Sequence, residues 1–331
     1  MIISNKQKTF FDLFPTPEFL LFSTTGIVIT DTDIKFVQLR KKMFGDGFEL
    51  IHASKIDNPK GIVESGIINN PSELTSILQN LSAHYSIHYT RANLPDEKAY
   101  LFTAYINWVP HEGLNDAIAF IIEENAPVSL AESVFDFEII SEDKRAGKIK
   151  LAVSVLPKNV VETYVKIFES VGVTPVSFDL ESQAIARAVI RQGDKQPILI
   201  INLSPEKTGF YVVEEGVVQF STTLSYGIDG DGSYKNLNDL KVEMNKIFGF
   251  WEDLVNKSGQ TGKKIEKVVL CGIGGNKTDF VEKLMSESKI PYSLADVWQN
   301  MFSAKSHVPE ISFDVSLDYA SVIGLVLPYD R

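Results

Sequence analysis

The sequence holds a single cysteine, Cys271, so it cannot close a disulfide within itself, and this usage fits a reducing compartment. Long apolar runs are missing too. A membrane-spanning helix needs roughly 20 apolar residues, and Ala117 to Ile122 falls far short of that. No signal-peptide core follows the first residues, because Pro15, Pro17 and Glu18 interrupt it. Dense basic runs are absent. Arg40-Lys41-Lys42 and Lys263-Lys264 read as solvated turns, and 32 Lys and Arg against 43 Asp and Glu leave a net charge of -11. Nucleic-acid affinity comes largely from clustered cations that neutralise phosphates, so no nucleic-acid partner is expected. The histidines lack metal-ligand spacing. His84 and His88 lie close together, but they straddle a predicted helix end and would not face one site. No Ser/His/Asp set stands at a recognisable motif. What remains is a soluble, cytosolic chain with no catalytic residue and no metal site in view.

What is present is ordinary globular material, 44% apolar and 23% charged, which argues against disorder. A length of 331 residues allows one large domain or two to three smaller ones. Residues 1–25 read as a loop-like extension in which Phe10, Phe11, Leu13 and Phe14 sit beside Lys6 and Lys8. Such a segment packs on its own domain or touches a partner or membrane surface. Ile27 to Leu39 alternates as two strands around the polar turn Thr30-Asp31-Thr32-Asp33. Gly45-Asp46-Gly47 signals a hairpin, with a strand from Phe48 to Ile56 after it. Ser72 is placed to cap a helix reaching about His84, with Leu74, Ile77, Leu78 and Leu81 on one face. Strands are predicted at 87–94, 99–107, 133–140 and 148–156, with a helix at about 112–124. Pro157 stands at the start of a helix that ends at Gly172. A short strand near 174–180 and a helix from Glu181 to Arg191 follow.

The opening pattern then recurs about 170 residues on. Ile198 to Ile201 is a buried strand, Ser204-Pro205-Glu206-Lys207 a turn, and Thr208 to Val213 and Val217 to Leu224 are strands. A meander that appears twice hints at two related halves. A long helix from about Asn238 to Lys257, a strand Lys267 to Cys271, a glycine loop, a helix near 278–288 and a buried C-terminal helix over Tyr319 to Leu327 complete the chain. Clustered backbone N–H groups in such turns make an anion concavity, and glycine serves where a side chain would block a ligand. Other candidates carry blander readings. Gly272-Ile273-Gly274-Gly275 lacks the dinucleotide spacing. Asp136 reads as an exposed strand acid, and Glu123 and Glu124 as a helix end before Pro127. Gln183 and Arg187 share a helix face as an interdomain polar contact, whereas Glu181 and Arg187 are six apart and make no helical ion pair.

An ordered set of segments resembles the PilM proteins of type IV pilus assembly. Gly26 to Val37 looks like the family's first phosphate segment. Glu123-Glu124-Asn125-Ala126-Pro127 with Ser133 to Glu138, Pro157 to Tyr164 and Val171 to Pro175 are similar to its next stretches. Asp179-Leu180-Glu181-Ser182-Gln183-Ala184-Ile185-Ala186-Arg187-Ala188 is the strongest match, Val268 to Gly275 resembles the adenosine loop, and Tyr319 to Leu325 the terminal helix.

The resemblance implies an α/β, actin-like (ribonuclease H-like, duplicated) two-domain fold with an inserted α+β subdomain, as in the cell-division protein FtsA. It implies a first actin-like part at 26–87 and 174–192, the insertion at 88–173 and a second part at 193–331. It also implies a cytoplasmic platform peripheral to the inner membrane. Such a platform binds the cytosolic tail of a PilN-like bitopic membrane protein beside the insertion, meets other pilus components and is open to oligomerisation. By resemblance the nucleotide site would take ATP and Mg²⁺ through Thr30, Asp31, Thr32, Asp33, Lys35, Asn202, Ser204, Thr208, Gly272, Gly274 and Gly275.

This chain departs from the family where the metal is held. The family's first hairpin reads Asp-Ile-Gly and this one Val28, Ile29, Thr30; the second reads Asp-x-Gly and this one Asn202, Leu203, Ser204, with Thr208 retained. A degenerate cleft without ATP hydrolysis is therefore expected. Asp31 and Asp33 either substitute as metal ligands or repel a triphosphate. Lys35 is either the family's lysine or an exposed strand residue. The rival readings are an active ATPase or sugar-kinase relative, which the lost acids oppose, and an FtsA-like division protein, whose C-terminal amphipathic helix is not seen after Leu327.

Overall fold

The computed structural model describes residues 24–41, 48–228, 236–257, 264–301 and 311–328. The predicted Gly45-Asp46-Gly47 turn and the Phe10 to Phe14 cluster with Lys6 and Lys8 lie outside the described residues.

The first meander is β1 (Thr24–Ile29), β2 (Asp33–Lys41) and β3 (Phe48–Asp57), antiparallel throughout. Ile27, Ile29, Ile34 and Phe36 enter one core, while Val28, Val37 and Leu39 enter another. Both faces are covered, which is why the sequence reads as a nearly continuous apolar run. The short β4 (Val63–Glu64) and β5 (Ile67–Ile68) lead to α1 (Pro71–Tyr85). Its cap is Asn70 and not Ser72: Asn70 Oδ1 accepts from the Glu73 N–H at 3.3 Å. Pro71 has no N–H and a φ already suited to the first turn, so the helix starts there and the cap falls one residue earlier.

β6 (Tyr89–Leu94) then runs parallel to β1. The chain leaves this sheet through β7 (Tyr100–Asn107), α2 (Leu114–Asn125), β8 (Ser133–Asp143) and β9 (Lys148–Pro157). These strands form their own sheet in the order β7-β9-β8. Leu114, Ile118 and Ile122 of α2 close its core against Ile149, Leu151, Val153 and Val155. The chain returns by α3 (Lys158–Ser170), whose Tyr164, Ile167 and Phe168 pack with α1 in the core under the first sheet. Within the predicted insertion 88–173, the part with a separate sheet and core is thus 100–157. β10 (Thr174–Leu180) adds parallel to β6, giving the order β10-β6-β1-β2-β3, and α4 (Glu181–Val189) follows.

The second half repeats the plan. β11 (Ile198–Leu203), β12 (Thr208–Glu214) and β13 (Val217–Leu224) form the meander. α5 (Leu237–Lys257) buries Leu240, Met244, Ile247 and Trp251. Next come β14 (Lys267–Cys271), α6 (Thr278–Met285) and β15 (Tyr292–Leu294). β14 is parallel to β11 and β15 parallel to β14, so the order β13-β12-β11-β14-β15 matches that of the first sheet strand for strand.

The chain closes with α7 (Phe313–Ser316) and α8 (Ala320–Val326). The sequence division puts α8 in 193–331, yet it packs on α4 and β1 of the first half. Small residues permit that approach. A Cβ at Gly324 would overlap the Ala184 carbonyl, and one at Gly26 would press on Val326 and the Val322 carbonyl. The core shared by α4, α8 and both meanders joins the halves behind a cleft.

Candidate functional site

The turns of the two meanders face each other across that cleft. Thr30, Asp31, Thr32, Asp33 and Lys35 line one wall, and Asn202, Ser204, Pro205, Glu206 and Lys207 the other. Glu181, Leu317, Asp318, Ala320 and Ser321 complete the lining. Seven of the eleven residues nominated from sequence therefore meet here. Thr208, Gly272, Gly274 and Gly275 are not among the lining residues.

Each turn spends its polar groups on itself. Thr30 Oγ1 accepts from the Asp33 N–H at 3.0 Å, and the Thr30 N–H donates to the Asp33 carbonyl at 2.9 Å. The Asp31 carboxylate accepts from the N–H groups of Ser65 (2.9 Å) and Gly66 (3.2 Å), which pins the turn to the β4–β5 hairpin. Opposite, the Ser204 N–H donates to the Lys207 carbonyl at 3.0 Å. The Thr208 hydroxyl donates to the Tyr226 carbonyl at 3.1 Å, away from the cleft.

Cations and carboxylates in the cleft are matched to one another. Lys35 Nζ lies 2.9 Å from Asp33 and 3.0 Å from Asp318. Lys55 lies 3.1 Å from Asp33 and 2.8 Å from Asp318. Burial alone would lift the Asp33 carboxyl, but Lys35 and Lys55 outweigh it and hold it below the usual carboxylate range. Burial would likewise lower Lys35, yet Asp33 and Asp318 raise it above the ordinary lysine value. Lys35 is 5% exposed, so the reading as an exposed strand residue is corrected. Its partners come from β2 itself and from the segment before α8, so strand alternation gave no sign of them.

Across the cleft, Lys207 Nζ lies 2.9 Å from Glu97 and 3.1 Å from Glu181. Burial works against the charge on Lys207, but Glu181 and Glu97 hold its value well up. Asn202 Nδ2 donates to Glu181 at 3.4 Å. Asp96, next to Glu97, accepts from the Ser182 N–H at 2.8 Å and from the Ser182 hydroxyl. Burial, with Glu181 and Glu97 nearby, pushes its carboxyl up to about 7 despite those hydrogen bonds.

The glycine loop is explained by the protein itself. Gly272 has a φ of +81°, and a Cβ there would overlap the Leu203 carbonyl. One at Gly274 would overlap Ile228 and press on Leu203. These glycines let the loop after β14 lie against the end of β11, a packing demand that looks the same in sequence as a ligand cradle. Val28, where the resemblance implies an aspartate, is fully buried in the apolar core shared by the halves.

Nothing in the sequence pattern marks Lys55, Asp96, Glu97 or Asp318, while Lys207 stands in a turn and Glu181 on a helix face. A lysine in a turn of a buried meander was the one available hint. Gln183 contacts Glu138 and Ser154 of the 100–157 sheet at 3.4 Å each, and Arg187 holds Asp179 (3.2 Å) and the Gly324 carbonyl (2.9 Å). Asp136, Glu123, Glu124, His84 and His88 are exposed. Among the described residues no group of His, Cys, Asp and Glu is arranged to hold a metal ion, and no helix is long and apolar enough to cross a membrane.

Comparison with known proteins bears on this geometry. The family model described as "Type IV pilus assembly protein PilM" matches residues 26–236. A solved PilM-PilN type IV pilus biogenesis complex superposes with a TM-score of 0.76 at 15% identity, covering 92% of this chain and 98% of that one. The ethanolamine utilization protein EutJ from Carboxydothermus hydrogenoformans gives 0.51 at 11% identity, over 92% of this chain and 89% of its own. The cytoplasmic domain of EpsL, an inner membrane component of the type II secretion system of Vibrio cholerae, gives 0.50 at 9% identity, over 93% and 97%. At such identities the likeness is one of fold, and the fold is the actin-like one with its inserted subdomain. No curated protein matches the chain in sequence.

Proposed function

Because the chain belongs to the PilM family of type IV pilus assembly proteins, we propose that it is a non-enzymatic cytoplasmic scaffold with a degenerate nucleotide cleft. In this reading it docks the cytosolic tail of a PilN-like bitopic protein and is held at the inner membrane through that partner. The observation that carries the reading is the pairing in the cleft. Lys35, Lys55 and Lys207 all face carboxylates of the chain itself, at distances from 2.8 to 3.1 Å. A bound triphosphate needs cations free to answer its charge, and Mg²⁺ needs oxygen ligands not already claimed. Asp33 is held by two lysines and Asp31 by two backbone N–H groups, so neither residue is left for a metal. The residues present do not fit Mg-ATP. The structural likeness to a protein solved as a PilM-PilN complex supports the partner class.

Titration with a fluorescent ATP analogue, with and without Mg²⁺, tests the cleft. No saturable Mg²⁺-dependent binding is expected, and micromolar binding overturns the degenerate reading. Co-purification tests the partner, using the bitopic protein encoded by a neighbouring frame with and without its cytosolic tail. Retention that does not depend on the tail overturns the docking reading.

A further inference from the structure

Lys207 joins three parts of the molecule at one point. It leaves the turn between β11 and β12 in the second half and ends between Glu97 and Glu181. Glu181 opens α4 in the first half. Glu97 sits in the single 3₁₀ turn Asp96–Lys98, which carries the chain from β6 into the separate sheet at 100–157. That sheet has its own apolar core, drawn from residues 102–155, while Leu101, Val134 and Leu156 at its edge pack against the first half. A second polar link connects it to the second half, where Lys150 of β9 lies 3.0 Å from Gln219 and 3.7 Å from Glu214. The contact with the second half is thus polar at Lys207 and Lys150, with Leu101 adding an apolar contact, and interfaces of such mixed character permit relative motion.

The contact at Lys207 also carries opposing terms. Glu97 Oε2 is buried and has no hydrogen-bond partner among the described residues. A buried acceptor without a donor is a standing cost that water relieves once the site opens. Two carboxylates, of Glu97 and Glu181, share this one ammonium, and their mutual repulsion also favours opening. Lys207 is therefore the polar tie at this junction, beside the apolar core that joins the halves, and one of its two carboxylate partners carries an unmet acceptor.

We propose that Lys207 is a latch that holds the 100–157 sheet and the start of α4 against the second half, and that its release lets this sheet move as a unit about the chain crossings at Pro95 and Pro157. The latch rests on the geometry alone and does not depend on the pilus role or on nucleotide.

Hydrogen–deuterium exchange on the full chain tests it. Lys207→Met removes the charge and keeps most of the side-chain volume. Amide exchange should rise ~10-fold or more at 96–102, 181–184 and 217–224, with 27–29, 149–155 and 198–201 unchanged, because the separate bodies stay folded. Unchanged exchange at the junction overturns the proposal. So does a uniform rise through all segments, which would mark Lys207 as a general stabiliser of the fold. Glu97→Gln is the second variant, since Lys207 keeps Glu181 and no cation is stranded. It should raise exchange several-fold at 96–102 while 181–184 stays protected. If Lys207→Met does not fold, the second variant decides: no change at 96–102, or a rise everywhere, rejects the latch.

Discussion

Lys35 Nζ lies 3.0 Å from Oδ1 of Asp318, so a lysine in the middle of β2 is answered by an acid on the segment that leads into α8. That pair, with Asp33 and Lys55, closes the base of the cleft with two positive and two negative groups. Removing one member leaves a buried charge without its full complement, which typically costs about 3–5 kcal/mol. Asp318→Ala should therefore lower the unfolding free energy by an amount in that range, read as a clearly lower urea midpoint. Lys60→Ala provides the contrast. Its partner Glu206 is 3.6 Å away and both side chains are largely in water, so no measurable change is expected. Equal effects from the two variants would deny the buried cluster any special role.

The pH dependence of stability should carry two opposite signatures. Asp96 has its carboxyl pushed from 3.8 up to about 7 by burial and by Glu181 and Glu97. Between those values the folded chain holds a proton that the unfolded chain has released. The contribution is fully present below 3.8 and is lost as pH rises through about 7. Asp33 has its carboxyl held below 3.8, because Lys35 and Lys55 outweigh its burial, so its contribution is present above that value and is lost in stronger acid. Asp96→Asn should flatten the decline from pH 4 to 7, removing a slope of up to about 1.4 kcal/mol per unit. Chemical denaturation at pH 4, 5.5 and 7 reads this directly. Parallel curves for wild type and variant would mean that Asp96 is ionised throughout.

Much of this was legible in the sequence, and the rest was hidden for identifiable reasons. The two meanders could be read because both faces of β1 and β11 are buried and the turns between strands are polar. Asn70 displaced Ser72 as a cap because a proline one residue later fixes where a helix starts, a local rule that was open to use. The ion pairs were not readable. Lys207 meets Glu97 and Glu181, and Lys35 meets Asp318, only after the halves close, and a charged residue in a turn gives no sign of a partner so far along the chain. Gly272 and Gly274 are ambiguous in sequence, since a close approach of the protein's own backbone asks for the same residue as a nucleotide does.

The return of α8 to the first half makes a packing prediction. Gly324 faces the Ala184 carbonyl so closely that a Cβ would overlap it. Gly324→Ala would normally favour a helix slightly, but here it must push α8 away from α4. Overpacking of this kind costs about 1–3 kcal/mol. A lower melting temperature is the expected result, with the far-ultraviolet spectrum unchanged at low temperature. An unchanged or higher melting temperature would show that the crossing has room to relax.

Restoring the acid that the family carries at the first hairpin should fail to restore a site. Val28 is fully buried and shares its core with Val37, Leu39, Val322 and Val326, and the cation opposite it on β2, Lys35, is already paired with Asp33 and Asp318, so Val28→Asp puts a carboxyl where Lys35 already has its partners. The added group is expected to cost several kcal/mol, on the order of 2–7 for a polar group buried without a full set of partners. Lys35 and Lys207 meanwhile keep their own carboxylates, so the variant gains no free cation for a phosphate. Urea denaturation and a Mg-ATP titration on the same preparation separate the outcomes. A large loss of stability with no nucleotide binding is expected. Full stability together with Mg²⁺-dependent binding would mean that the cleft is one substitution from function and that its ion pairs yield readily to a ligand.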